Sequence, residues 1–337
     1  MASHRKLFTP CFLFFLTLLF LTSCFPGAFI CRPAVNREYL PQIKKIIKGA
    51  RKKLYISQLY FHMDDTTRPL IVLLNDAVDR GVDVRCIFED SVSYNAESVQ
   101  LLKRIGVEAK SDSENIFSHS KFIVADGEKV IVGSTNLSFS SIDKNNETNV
   151  FIRDNNIGGW FEKYFLSMWD DKSPPESVIS GCVSTVEVSR ADEALMEMFD
   201  GAQKRIALLI YGIKIYQGEP ENPVMKVLDS LFKAARRGVK VEVVMEKSDY
   251  NDSLNKMTDN AAEYFRSNGV DVSFEDEKII THAKLAVADD SVMIGSSNWG
   301  YGGFELYREA NIVIKDAALA EYFYKYFQMV KAQGVQK

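Results

Sequence analysis

The chain has 337 residues, of which 46% are hydrophobic and 26% charged, enough apolar material for one large globular domain or two smaller ones. Its 41 lysines and arginines stand against 45 aspartates and glutamates, a formal net charge of −4. Proteins that bind nucleic acid regardless of sequence draw affinity from basic surfaces, so this balance weighs against general nucleic-acid binding and leaves only a local basic groove open.

The first 32 residues have the layout of a targeting segment. Arg5 and Lys6 precede a charge-free, largely apolar stretch over residues 7–31, which is typical of a secretory signal peptide. The sequence Leu-Thr-Ser-Cys ending at Cys24 resembles the bacterial lipoprotein cleavage box, which would leave Cys24 lipidated. An uncleaved membrane anchor is the alternative, because the stretch is long enough to span a bilayer. We expect an exported protein, membrane-tethered or periplasmic or extracellular, since basic residues favour the inner side.

Predicted helices and strands alternate along the rest of the chain. Apolar residues spaced three and four apart predict amphipathic helices, and short runs rich in β-branched residues predict strands. Gly81 and Gly238 stand where helices should end. This alternation predicts the α/β class, with a mixed sheet flanked by helices in each half. The predicted helices cover residues 40–47, 69–78 and 224–235, and the predicted strands cover residues 82–88 and 239–245.

The same order of elements occurs twice, which indicates an internal repeat. The proline and glycine residues within 170–183 mark the best boundary between the copies. We therefore expect two pseudo-symmetric lobes, residues 33–175 and 176–337. The matching segments are 49–56 with 201–208, 77–84 with 234–241, and 105–107 with 268–270.

Apart from Cys11 and Cys24 of the leader, three cysteines remain, namely Cys31, Cys86 and Cys182, and they form no CxxC pair or metal-type cluster. Cys86 lies in an apolar run and is expected to be a small buried side chain. The spacing neither supports nor excludes a disulfide between Cys31 and Cys182. We expect no metal and no other cofactor.

The strongest repeat contains histidine, lysine, serine and asparagine at matched spacings. A histidine and a lysine two residues apart on a strand face the same side. The turn at Asp126 and Gly127 should fold the next strand back, bringing the serine and asparagine near the imidazole and the amine. The first copy contributes His119, Lys121, Ser134 and Asn136, and the second contributes His282, Lys284, Ser296 and Asn298.

Each copy also carries two acidic residues with different expected roles. Glu147 and Glu309, on a following strand, are expected to accept a hydrogen bond from the far nitrogen of each imidazole and fix its tautomer. Asp126 and Asp289 lie at the hairpin turns, so we expect a turn or structural ion-pair role. His62 has no counterpart in the second copy and is not assigned to the site.

The pattern HxKxxxxD followed by GSxN, present twice, resembles the signature of the phospholipase D superfamily. The resemblance covers essentially the whole chain after the leader. It implies one active site at the lobe interface, with His119 as the nucleophile that forms a phosphohistidine and His282 as the general acid and base. The two lysines and two asparagines would then hold the phosphate oxygens.

The resemblance gives a reaction type and leaves the substrate open. Export and net acidity favour hydrolysis of a phospholipid at its headgroup ester, with the N-terminal segment on the membrane surface and no obligate protein partner. Compact lobes favour the alternative, an endonuclease acting on nucleic-acid phosphodiesters. Phosphatidyl transfer is a weaker alternative, because a cardiolipin synthase would be expected to carry more membrane spans. A non-catalytic phosphate-binding lipoprotein is weaker still, since both motifs are intact.

Two further segments lie close to the motifs. Residues 299–304 are aromatic and glycine-rich, and they are interpreted equally well as a contact for acyl chains or as an ordinary packed loop. Residues 212–222 form an insertion that is expected to shape the entrance of the site.

Overall fold

The computed structural model describes residues 29–249, 251–276 and 278–334, which fold into two α/β lobes. Within the described residues, the first lobe contains seven strands and four α-helices. Its strands are β1 (Ile30–Pro33), β2 (Lys53–Gln58), β3 (Asp83–Phe88), β4 (Glu108–Ser111), β5 (Phe122–Ala125), β6 (Lys129–Gly133) and β7 (Asn149–Arg153). Its helices are α1 (Tyr39–Gly49), α2 (Arg68–Asp79), α3 (Asn95–Arg104) and α4 (Asn155–Trp169).

The described part of the second lobe contains eight strands and four α-helices. Its strands are β8 (Ile179–Ser180), β9 (Val183–Val186), β10 (Arg205–Ile210), β11 (Lys240–Met245), β12 (Asp271–Phe274), β13 (Lys284–Ala288), β14 (Ser291–Gly295) and β15 (Asn311–Lys315). Its helices are α5 (Ala191–Gly201), α6 (Pro223–Arg236), α7 (Asp252–Ser267) and α8 (Ala317–Gln333).

The two sheets have equivalent topologies. The first runs β1-β7-β6-β5-β2-β3-β4, and the second, in the opposite direction, runs β12-β11-β10-β13-β14-β15-β9-β8. In each sheet the three strands at one end are parallel, and the remaining pairs are antiparallel. The α/β class and the two-lobed arrangement predicted from the repeat are therefore present.

The predicted elements appear with small changes at their ends. The three predicted helices extend by one or two residues at their ends to become α1, α2 and α6, and the two predicted strands begin one residue later as β3 and β11. Gly81 and Gly238 follow α2 and α6 with φ of +80° and +90°, a backbone conformation that side chains with a Cβ disfavour.

A continuous apolar core joins the lobes. The inner faces of both sheets pack with α4 and α8 in one cluster of buried side chains, which includes Phe122, Phe161, Val287, Phe323 and Phe327. Strand β14 of the second lobe contacts β6 and β7 of the first. Since this core spans both lobes, it fixes the position of one sheet relative to the other and therefore the geometry of any site between them.

The first lobe begins earlier than the sequence predicted. Residues 30–33, of which 30–32 were assigned to the end of the leader, form β1 and pair antiparallel with β7. An edge strand this short is hidden at the end of a longer apolar run, so its alternation gives no separate signal. The predicted signal or anchor, including Cys24, lies outside the described residues. Within the described residues, no helix is both long enough and apolar enough to cross a membrane.

Candidate active site

The two histidine–lysine pairs lie at the starts of equivalent strands. His119 and Lys121 directly precede β5, while His282 precedes β13 and Lys284 is its first residue. All four side chains are buried, with exposures of 6%, 1%, 9% and 6% in chain order. The ammonium of Lys284 donates to the carbonyl oxygen of His282 at 2.6 Å, and Lys121 makes the same contact with His119. Each lysine is therefore fixed beside its own histidine.

Backbone bridges bring the segments before these motifs into contact across the lobe interface. Ser118 pairs with Arg308, and Thr281 pairs with Asn146, both in parallel orientation. The amide of His119 donates to the carbonyl oxygen of Arg308 at 2.9 Å. Each histidine is thereby placed next to the glutamate that follows the bridge in the other lobe.

The histidine–glutamate pairs consequently cross between the lobes. Nδ1 of His119 lies 2.9 Å from Oε1 of Glu309, and Nδ1 of His282 lies 3.1 Å from Oε1 of Glu147. A carboxylate only accepts hydrogen bonds, so each ring carries its proton on Nδ1 and leaves Nε2 with a free lone pair. The glutamates contact the rings as the sequence predicted, and the structure adds that each belongs to the opposite copy of the motif.

The two serines hold the glutamates. Oγ of Ser134 donates to Oε2 of Glu147, and Oγ of Ser296 donates to Oε2 of Glu309. Each hydroxyl also accepts from the backbone amide that follows the glutamate, at 3.0 Å and 2.9 Å. The serines thus lie one contact away from the imidazoles, and they fix the carboxylate on which each ring depends.

The glycine before each serine permits this close packing. A Cβ on Gly133 would lie 2.2 Å from the carbonyl oxygen of Thr148, and one on Gly295 would lie 2.0 Å from Oδ1 of Asn311. Both distances are far below van der Waals contact, so only glycine fits at these positions. This is a physical reason for the first residue of GSxN.

The two asparagines have uncommitted amide groups. Asn136 is buried and Asn298 half-buried, and Oδ1 of each is buried without a hydrogen-bond partner among the described protein groups. Buried amides normally have partners, so a ligand is the natural partner here. Rotation about the last side-chain bond turns either the donor or the acceptor end toward such a ligand.

The charges of the two lobes act on one another. Burial, together with the ammonium groups of Lys121 and Lys284, lowers the pKa of His119 to about 4, and the carboxylate of Glu309 opposes this shift. Burial also lowers the pKa of His282, and Lys121 of the other lobe adds to this effect. Burial lowers the pKa of Lys284 to about 8. These cross-lobe effects require the two motifs to converge, as the shared-site hypothesis predicted.

Aromatic rings line the histidines. Phe117 stacks on His119 with ring centroids 6.0 Å apart, and Tyr307 packs against Phe117 at 4.9 Å. Tyr211 lies edge-on to His282 at 4.7 Å, with the ammonium of Lys284 above its ring at 4.6 Å. Sequence reasoning did not identify these three rings, because they lie outside the repeated motifs.

Part of the loop 299–304 is packed in the core and part is exposed, so neither of the two interpretations describes all of it. Trp299 and Phe304 are buried in the core of the second lobe, as in an ordinary packed loop. Tyr301 is 44% exposed, and its amide donates to the hydroxyl of Tyr216 at 3.1 Å. The insertion 212–222 therefore packs on this loop, beside the segment that carries Asn298.

Two buried glutamates that the sequence analysis missed support the histidine segments. Glu89 accepts the amide of Ser118 at 2.6 Å, and Glu246 accepts the amide of Thr281 at 2.7 Å. Glu89 directly follows β3 and Glu246 directly follows β11. The two glutamates are separated by the same number of residues as Gly81 and Gly238, so they occupy equivalent positions in the repeat. Burial raises the pKa of Glu246 to about 7.

A buried arginine, Arg308, was also missed by the sequence analysis. Its guanidinium forms ion pairs with Asp112 and Asp171, so it links the second lobe to the first and to the connecting segment. Arg308 directly precedes Glu309, so these contacts hold the residue next to the glutamate that binds His119.

The motif aspartates have the predicted turn role. Asp126 and Asp289 adopt φ of +57° and +48° in the hairpin turns. Their carboxylates accept backbone amides at the starts of β2 and β10, the shortest being 2.7 Å from Lys52 and 2.7 Å from Gln203. Asp126 and Asp289 therefore join each hairpin to its neighbouring strand, away from the histidines.

The charges and hydrogen-bonding groups of the site suit a phosphate group, because the two lysines supply positive charge. The ammonium groups of Lys121 and Lys284 act on the imidazoles of both lobes, and the two asparagines have amide oxygens without a partner among the described groups. The nearby carboxylates Glu147 and Glu309 are held by the histidines and serines. Across the described residues, no group of three or more His, Cys, Asp or Glu side chains is arranged to hold a metal ion.

Comparisons with known proteins agree with this geometry. The family model described as "Cardiolipin synthase, PLD-like domain" matches residues 43–169 and again residues 195–331. A mouse protein named mitochondrial cardiolipin hydrolase is 25% identical over 150 residues, covering 44% of this chain and 66% of its own. A probable cardiolipin synthase of Bacillus subtilis is 23% identical over 331 residues, covering 84% of this chain and 62% of its own. The chain thus spans no more than two thirds of either relative.

The crystal structure of phosphatidylserine synthase from Haemophilus influenzae shares the fold. It aligns with 91% of this chain and 87% of its own, with a TM-score of 0.71 and 13% sequence identity. The family model accounts for well over half of the chain, and it occurs once in each lobe. The chain therefore belongs to the phospholipase D superfamily of enzymes, in the family described as cardiolipin synthase, PLD-like domain.

Proposed function

We propose that this protein hydrolyses phospholipids at the headgroup ester, releasing phosphatidic acid and the headgroup alcohol through a phosphohistidine intermediate. The observation that carries the proposal is the pair of crossed histidine–glutamate contacts beside two buried lysines. A phosphodiester repels nucleophiles because its oxygens are anionic, and this arrangement supplies both neutralising charge and two imidazoles.

In the first step, Nε2 of His119 attacks phosphorus and the bond to the headgroup oxygen breaks. The low pKa of His119 keeps the ring neutral, as a nucleophile requires. His282, protonated when the anionic substrate binds beside it, donates its Nε2 proton to the leaving alcohol. Lys121 and Lys284 hold the non-bridging oxygens, and Asn136 and Asn298 donate further hydrogen bonds.

In the second step, water replaces the headgroup. Neutral His282 accepts a proton from the water, whose oxygen attacks phosphorus, and the bond between phosphorus and His119 breaks. Phosphatidic acid leaves and the starting protonation of both rings is restored. Glu309 and Glu147 hold the two rings in one orientation through both steps.

Several features favour a lipid over a nucleic acid. Phe117, Tyr307 and Tyr211 place apolar surface beside the histidines, which suits a glycerol backbone and its acyl esters. The formal net charge of −4 gives no general attraction to a polyanion. The curated relatives named above carry names that refer to cardiolipin, which is a phosphatidyl diester.

Phosphatidyl transfer is the second candidate. The relative that aligns over 84% of this chain is named a probable cardiolipin synthase. Hydrolysis and transfer share the phosphohistidine and differ only in whether water or an alcohol attacks it. The product formed in the presence of both acceptors therefore separates them.

The deciding assay uses the purified full chain with vesicles of phosphatidylcholine or cardiolipin, with and without glycerol, and with single- and double-stranded DNA. Phosphatidic acid with free headgroup supports hydrolysis, phosphatidylglycerol formed from added glycerol identifies a transferase, and nicked DNA identifies a nuclease. His119→Ala and His282→Ala should each abolish the reaction. A reaction that proceeds at the wild-type rate in either variant would refute the shared site.

We further propose that the enzyme is exported and tethered to the membrane through its N-terminal segment, with lipidated Cys24 as the first alternative. The charge-free stretch after Arg5 and Lys6 supports this assignment. Cys24→Ala would then move the protein from the membrane fraction to the soluble fraction. Retention of that variant on the membrane would favour the uncleaved anchor.

A further inference from the structure

Two cysteines outside the active site meet where the edges of the two sheets approach each other. Cys31 lies in β1, at one edge of the first sheet, and Cys182 lies in the turn between β8 and β9, at one edge of the second. Their thiols lie close enough for each to shift the pKa of the other, and both are half-buried against the core that joins the lobes.

The segments around the two cysteines are packed closely. A Cβ on Gly181 would lie 2.9 Å from a ring carbon of Phe29, so the residues flanking the two cysteines also touch. Gly181 has φ of +57°, which fits the tight turn that presents Cys182 to β1. The contact between the thiols is therefore held by its surroundings on both sides.

We propose that Cys31 and Cys182 form a disulfide that fastens the N-terminal strand to the second lobe. This modification is independent of the proposed reaction, because neither residue lies in the site. It requires an oxidising compartment, which agrees with the proposed export.

The chemistry is an exchange with an external disulfide such as oxidised glutathione. The hydrogen bond from Cys31 lowers the pKa of Cys182 to about 7, so its thiolate attacks one sulfur of glutathione disulfide and releases one glutathione thiolate. Cys31 then loses its proton, and its sulfur attacks Cys182 and displaces the second glutathione. Two thiols are oxidised and one glutathione disulfide is reduced to two thiols.

The crosslink would enclose the whole first lobe. All of its helices and its other six strands lie between Cys31 and Cys182 along the chain. A disulfide that closes so long a loop restricts the unfolded chain strongly. We expect reduction to lower the melting temperature by roughly 5 °C or more.

The test starts with the purified full chain in oxidised glutathione. The protein is acid-quenched, unfolded, alkylated with N-ethylmaleimide, digested and analysed by mass spectrometry. We expect a reducible peptide pair joining Cys31 to Cys182, while Cys86, buried within β3, is alkylated. Melting with and without reductant is then compared in the wild type, Cys31→Ser and Cys182→Ser, with Cys86→Ala as the matched control.

Only the wild type and Cys86→Ala should melt lower in reductant. Alkylation of both Cys31 and Cys182, a separate glutathione on each, or linkage of either to Cys11 or Cys24 would overturn the proposal. A linked peptide without any effect of reductant on wild-type melting would refute its fastening role. These measurements use no substrate, so their outcome is separate from that of the proposed reaction.

Discussion

Exchanging Glu309 for glutamine removes the charge that holds His119 while preserving side-chain size. Because the pairs cross, this change in the second lobe should damage the histidine of the first. The matched change Glu147→Gln should damage His282. A pairing within each lobe would give the reverse assignment, so the two variants test the crossing directly.

The size of the effect follows from the contact. Glu309 is buried and lies 2.9 Å and 3.1 Å from Nδ1 of His119 through its two oxygens, so solvent does not screen the interaction. A charge-assisted hydrogen bond of this kind contributes about 2–3 kcal/mol, which corresponds to a rate loss of roughly 30- to 150-fold. Glu309 raises the pKa of His119, so its loss lowers that pKa further below about 4 and leaves the ring neutral at pH 7. The rate loss therefore reflects orientation.

The assay measures the two chemical steps separately. A phosphodiester of p-nitrophenol has a good leaving group, which depends little on protonation, so a burst of nitrophenol reports attack by the nucleophile. Glu309→Gln should slow the burst. Glu147→Gln should retain the burst and slow the subsequent turnover, because His282 must activate water. Glu197→Gln, a change at an exposed side chain that pairs with Lys315, is the control and should behave as the wild type.

Identification of the phosphorylated residue completes the test. Mass spectrometry of the acid-labile intermediate should place the phosphoryl group on His119. If that residue is phosphorylated and Glu147→Gln is the variant that loses its burst, the crossed pairing is refuted. Phosphorylation of His282 together with a lost burst in Glu147→Gln would preserve the crossing and exchange the roles of the histidines.

Three further predictions use other parts of the structure. Burial lowers the pKa of Lys284 to about 8, although the charge of Glu246 raises it in part. Glu246→Gln should therefore lower this pKa and move the alkaline fall of the pH–rate profile to lower pH. A pH–rate profile that does not move would count against this coupling. Asp126 and Asp289 have positive φ, and their carboxylates accept hydrogen bonds from backbone amides. Asp126→Ala and Asp289→Ala each remove these hydrogen bonds, so calorimetry should show a loss of about 2–3 kcal/mol in the free energy of unfolding, with kcat unchanged at 25 °C. Activity should survive EDTA, because two lysines supply the positive charge; complete loss that a divalent ion restores would contradict the mechanism.

The repeat explains why so much of the fold was predictable. Helices α2 and α6 and the strands after them have strong periodicity, and their glycine ends occur at matched positions. The spacing of two between His119 and Lys121 predicts that the two residues lie together, and in the structure the ammonium of Lys121 contacts the carbonyl oxygen of His119. Each of these sequence patterns occurs in both copies of the repeat, which reduces the chance of a false match.

The features of the site that were not predictable from the sequence depend on contacts between distant segments. Glu147 and Glu309 were predicted to bind imidazoles, yet spacing within one copy carries no information about which ring each would meet. The crossing arises from backbone bridges such as that between Ser118 and Arg308, and these form only once the lobes pack together. Glu89 and Glu246 were missed because the matched segments 77–84 and 234–241 end before them, although both glutamates lie at the same repeat spacing.

The crossed contacts also explain why the proposed active site requires both lobes. If each histidine were held by a glutamate of its own lobe, a single lobe would contain a complete, oriented imidazole and ammonium. In this structure, Glu309 holds His119 and Glu147 holds His282, so each lobe alone would lack the group that fixes its own ring. The apolar core that joins the two sheets therefore does more than stabilise the fold. It brings each imidazole to the carboxylate that orients it, so packing between the lobes and the chemistry of the site depend on the same interface.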